Sequence, residues 1–170
     1  HYSIQPQEVD FQYQATLATI ANLLLTTSGK NADDRGFGSE RLQEIDCTWV
    51  LSKLTIEMLV FPKLHDKIKI RTWVENAGNL STTRNFSVFN ENDEIVGYAS
   101  SHWAMIDIHT RRPKKLELLE GLETEIVLET IPIERPVKLS PVTGMLSDTY
   151  KTKYSDIDIN GHTNSVRYIE

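Results

Sequence analysis

Leu17, Ile20, Ala21 and Leu24 fall at i, i+3, i+4 and i+7, and nearly everything from Thr48 to Ile108 reads as strand. One wide apolar helix followed by a run of strands leaves few folds open. The stripe repeats with helical period, and Leu23 and Leu25 widen it, so the helix needs cover on several sides. Gly29 is its expected stop. Ahead of it, Val9, Phe11 and Tyr13 alternate with Glu8, Asp10 and Gln12, the pattern of a half-buried strand. Behind it lies a polar stretch, 30–39. It contains Arg35-Gly36-Phe37-Gly38, read as a mobile entrance loop because two glycines permit unusual backbone angles.

The strands follow from composition and punctuation. Thr48 to Val60 is rich in β-branched and large apolar residues, and Pro62 closes it. Ile68, Ile70, Thr72 and Val74 share one face of the next strand; Lys67, Lys69, Arg71 and Trp73 share the other. Asn76-Ala77-Gly78-Asn79 is a hairpin loop, Leu80 to Phe89 returns, Asn90-Glu91-Asn92-Asp93 turns again, and Glu94 to Ile108 runs long. Short loops between three strands imply an antiparallel meander. The fold class is α+β, an antiparallel sheet curled around one long helix whose apolar surface fills the concave side.

Beyond the meander the texture changes. Leu116 to Leu128, with Glu and Leu interleaved, reads as a short helix. Pro132, Pro136 and Pro141 then mark a linker. Met145 to Tyr154 reads as a new strand leading into a helix start, the order in which the chain opened. The division is therefore an N-terminal unit over 1–128, a linker over 129–142 and the beginning of a second unit over 143–170.

Composition narrows the function. The formal charge of −6 argues against a general nucleic-acid binder. No apolar run is long enough to cross a bilayer, so no stable membrane insertion is expected. The single cysteine, Cys47, allows no internal disulfide and fits a reducing compartment; in its apolar run it reads as core. Against the acidic background Arg111, Arg112, Lys114 and Lys115 form a basic cluster. It is either a solvated loop or a dock for an acidic partner.

Near the end of the sequence Asp158, Asn160 and His162 are spaced two apart. In an extended segment all three point to the same side. Together they offer a charged acceptor, an amide and a group that titrates near neutrality, the parts needed to hydrolyse an activated carbonyl. The plainer alternative is a capped turn before a helix. Asp156 reads as a solvated or capping group.

Several of these segments, in order, resemble one family. Trp49-Val50-Leu51-Ser52-Lys53, Ile56-Glu57-Met58, Asp66 to Trp73, Ser101 to Asp107 with Thr110-Arg111-Arg112-Pro113, and Asp158 to Asn164 with Tyr168 are similar to acyl-acyl-carrier-protein thioesterases. The resemblance implies a double hot-dog fold: one complete unit that binds the acyl chain and the start of a second, catalytic unit. It implies hydrolysis of fatty acyl thioesters on acyl-carrier protein, with Asp158, Asn160 and His162 catalytic and no cofactor or metal. Leu17, Ile20, Ala21, Leu24 and Phe37 become acyl-binding candidates. Arg111, Arg112, Lys114 and Lys115 become the carrier-protein dock. The family also uses a downstream acidic residue with no counterpart before Glu170. The natural protein is therefore expected to be longer, by about 80 residues, or to pair with a second chain; a homodimer is one such pairing. A cytoplasmic location is expected, or a plastid if the source is a plant. Coenzyme A esters as substrates, and a non-catalytic acyl- or carrier-binding module, are the competing expectations.

Overall fold

A computed structural model describes residues 1–135, 140, 144, 148–157 and 162–169. Helix α1 spans Leu17–Asp34. Thr16 caps it, its Oγ1 accepting the Thr19 N–H at 3.1 Å. The expected stop at Gly29 is overturned. That residue is exposed and stays helical, at a propensity cost of about 1 kcal/mol that packing of the buried face outweighs. The stop is Gly36, at φ 77°. The Phe37 N–H reaches the Ala32 carbonyl at 2.8 Å and the Gly36 N–H reaches that of Asp33 at 3.0 Å. These two bonds close the last turn over a left-handed residue that glycine adopts without strain.

The strand expected over Val9–Tyr13 is also overturned. Asp10 Oδ1 accepts the N–H groups of Gln12 at 2.8 Å and Gln14 at 3.0 Å. This side-chain turn folds the segment back, leaving Phe11 89% exposed and Tyr13 64% exposed at φ 60°. A local aspartate bond here wins over an alternating pattern.

The sheet holds β1 (Tyr2–Ser3), β2 (Cys47–Met58), β3 (Lys67–Ala77), β4 (Ser81–Phe89) and β5 (Ile95–Asp107). Its order is β1-β3-β4-β5-β2, with every pairing antiparallel. The meander β3-β4-β5 is as expected. A short helix α2 (Ser39–Gln43) precedes β2 and buries Leu42. Register places Thr72, Phe86, Ala99 and Ile56 in one row across four strands. Phe86, Val88, Ala99 and Ile68 pack with Ile20 and Leu24 of α1 and with Ile4 in the main core. The next row is Val74, Arg84, Ser101 and Leu54, so an arginine occupies a position on the core side of the sheet.

After β5 the expected helix over Leu116–Leu128 does not form. Two 3₁₀ turns, Leu116–Leu118 and Leu122–Glu125, flank Gly121 at φ 86°. Leu116, Leu119 and Leu122 are all buried; their spacing of three fits a 3₁₀ turn better than an α-helix. The chain then crosses the edge of β3, where the Val127 N–H bonds the Val74 carbonyl at 2.9 Å. Arg71 grips Glu129 through two bonds, 2.8 and 2.5 Å, and the Trp73 indole donates to the Glu129 carbonyl at 2.7 Å. This strap covers an otherwise unpaired sheet edge.

Residues 148–153 hold no strand, contrary to expectation; Met145, Leu146 and Ser147 lie outside the described residues, as do Pro136 and Pro141. The expected helix start is a 3₁₀ turn, Ser165–Tyr168, whose Val166 packs against Ala18 and Ala21 of α1. Asp156 is buried, not solvated. It accepts the Lys153 N–H at 2.7 Å and the Tyr150 hydroxyl at 2.8 Å, and these bonds hold its carboxyl below the usual carboxylate range.

Candidate active site

Of the three proposed catalytic residues, Asp158 and Asn160 lie outside the described residues. His162 is described, and Arg111 Nη2 stands 3.3 Å from its Nε2. Arginine has no acceptor, so Nε2 accepts in this bond and a neutral ring carries its proton on Nδ1.

Asp107 builds the loop that presents Arg111. Its Oδ1 accepts the N–H groups of Thr110 at 2.7 Å and His109 at 3.0 Å and the Thr110 hydroxyl at 3.0 Å. Lys114 pairs with it at 3.2 Å. The Thr110 backbone bond, foremost among these, holds the Asp107 carboxyl well below the usual carboxylate range. The folded turn sets Arg111 at φ 60°. Of the proposed dock, then, Arg111 turns to His162 and Lys114 to Asp107, while Lys115 pairs with Glu117 at 3.3 Å. Arg112 is exposed.

His162 and Arg111 border a cavity of about 780 Å³, walled by Leu25, Ala32, Leu42, Cys47, Trp49 and Trp103. Cys47 is buried in a core cluster with Leu42 and Met105, and burial pushes its thiol pKa up. That is the opposite of an activated nucleophile. A second, apolar groove of about 460 Å³ runs between α1 and β2 under Val166 and Ile169, and Leu17, 41% exposed, stands on it. Ile20 and Leu24 are fully buried in the main core, and Ala21 packs against Val166. Phe37 is tied down by its carbonyl, which accepts the Trp49 indole N–H at 2.9 Å.

Phe37 borders a third cavity, of about 290 Å³, together with Trp49, Trp73, Trp103 and Arg84. Arg84 is 8% exposed. Its Nη1 donates to Asn31 Oδ1 at 2.7 Å and Thr72 Oγ1 at 3.2 Å. Burial, and then the charge of Arg35, push its pKa down to about 10, so it remains charged at neutral pH. Sequence reasoning passed over Arg84. Its signal was a charge two residues before Phe86, on the same strand face.

Residues 1–120 match the family model of the acyl-ACP thioesterase N-terminal domain, and residues 139–170 match that of the acyl-ACP thioesterase C-terminal domain. The chain belongs to the acyl-ACP thioesterase family. An acyl-ACP thioesterase crystal structure from Bacteroides thetaiotaomicron is 43% identical with a TM-score of 0.91, over 99% of this chain and 68% of that one. The sheet and helix are therefore a hot-dog fold of this family. An acyl-[acyl-carrier-protein] hydrolase of Cuphea viscosissima is 30% identical, over 99% of this chain and 44% of its own length. An oleoyl-acyl carrier protein thioesterase of Coriandrum sativum is 26% identical, over 99% and 50%. The chain thus spans about half the length of the curated relatives it matches. No helix among the described residues is long and apolar enough to cross a membrane.

Proposed function

We propose that the protein hydrolyses the thioester of fatty acyl chains carried on acyl-carrier protein. The observation that carries this reading is His162, in a segment of the family's C-terminal domain, standing on the 780 Å³ cavity between α1 and β2. In this reading the acyl chain enters that cavity and its thioester carbonyl lies near His162. Water attacks the carbonyl carbon, the C–S bond breaks, and the proton taken from water goes to the departing thiol. His162 with Asp158 moves the proton, and Asn160 orients the water or the carbonyl. The acyl unit is residues 1–128, the linker 129–142 and the beginning of the catalytic unit 143–170. Arg112, unpaired among the described residues, is the member of the basic cluster best placed to meet an acidic carrier protein.

Steady-state turnover with an acyl-carrier-protein thioester and the matching coenzyme A thioester tests the reading. A higher kcat/KM on the carrier protein, abolished in Asn160→Ala, is the expected result. Preference for coenzyme A would reassign the substrate, and binding without turnover would make the protein an acyl-binding module.

A further inference from the structure

The third cavity holds a charge that no described residue balances. Arg35 pairs with Glu125 and Arg71 with Glu129 at its rim. Arg84, the most deeply buried of the three, meets only the neutral oxygens of Asn31 and Thr72, and no carboxylate is within ion-pair reach of it among the described residues. Burying a guanidinium without a counter-charge is costly. A core position facing α1 would be filled more cheaply by an apolar side chain of the kind its neighbours Phe86 and Val88 supply. Phe37, Trp49, Trp103 and Leu122 give the wall an aromatic and apolar part, beside the polar Thr82 and Thr124 and the Glu125 that Arg35 holds. One unmatched positive charge beside such a surface suits a ligand with one negative charge and an apolar body. Nη1 already has two acceptors, while Nη2 and Nε have further N–H groups to offer a planar anion.

We infer that this cavity binds a monocarboxylate amphiphile, its carboxylate on Arg84 and its hydrocarbon body against Trp49 and Trp103. Those two tryptophans, with Ala32, also border the larger cavity, so an occupant here would lie beside the proposed acyl path. The inference does not require hydrolysis and is tested separately from it.

Isothermal titration calorimetry of the protein with octanoate, octanamide and inorganic phosphate decides the matter. Octanoate is expected to bind at least about ten-fold more tightly than octanamide, the gain from a charge-assisted pair with a buried guanidinium. Arg84→Gln should bring octanoate down to the octanamide level, and Arg84→Lys should retain part of the difference. Equal binding of octanoate and octanamide by the unaltered protein, a comparison that needs no variant to fold, would overturn the proposal. So would octanoate affinity that survives Arg84→Gln but falls with Arg111→Ser, since the anion would then sit beside His162. Phosphate binding as tightly as octanoate would overturn the apolar half of the assignment.

Discussion

The Arg111 guanidinium reaches His162 at 3.3 Å across 51 residues of sequence. The contact joins the basic loop after β5 to the segment that holds the proposed catalytic motif. It sets Arg111 against His162, apart from its neighbours Arg112, which is exposed, and Lys115, which pairs with Glu117.

Arg111→Ser should therefore act on turnover and Arg112→Ser on binding. We expect kcat to fall about ten-fold in the first with KM little changed, the size of losing one charge-assisted bond. In the second, KM should rise and its salt dependence weaken. Initial-rate kinetics at two ionic strengths separate them. Identical profiles for the two variants would remove the distinction.

His162→Ala should lower kcat by about 10²- to 10⁴-fold, the usual contribution of a positioned acid or base. Circular dichroism must remain unchanged, since the side chain is exposed and no core depends on it. Activity within two-fold of the unaltered protein would exclude an acid–base role.

Asp107 links the loop to pH. Its folded pKa lies well below the unfolded value, chiefly through the Thr110 N–H. The stability it contributes is present above about pH 4 and is lost as pH falls through the folded pKa, because the unfolded state takes up the proton first. Asp107→Asn should unfold at lower urea than the unaltered protein at pH 7, and the gap should narrow as pH drops below 4. A gap independent of pH would show that the carboxylate charge is not what holds the turn.

Leu24→Ala should cost about 2–5 kcal/mol and Phe86→Ala about 3–5 kcal/mol, since each empties a fully buried position in the main core. Urea unfolding measures both. Leu24→Ala also tests the acyl-binding role expected of it from its sequence: a shift in acyl-length preference supports that role, and a pure stability loss leaves Leu24 as core.

Cys47 should react with iodoacetamide slowly in the native protein and quickly in urea, because the thiol is buried and its pKa is raised. Cys47→Ser should keep hydrolytic activity. Loss of activity with the fold intact would point to a nucleophile.

Local chemistry wrote much of this fold into the residue order. The hairpin loops at 76–79 and 90–93, the alternation of β3 and the stripe on α1 each depend on neighbours within a few positions, so a reader of the chain can find them. The motif Asp158–His162 and the basic cluster were visible for the same reason. Other features required the assembled molecule. Tyr13 carries a strand-like pattern, yet Asp10 turns the segment back. Gly29 resembles a helix end, yet the packed face of α1 carries the helix on to Gly36. Nothing near Arg84 in sequence reveals that Asn31 and Thr72 would be its partners, or that Trp49 and Trp103 would border the same cavity. Helix, turn and strand answer to bonds made nearby. Which charge is buried, and what faces it, is settled only when distant strands come into register.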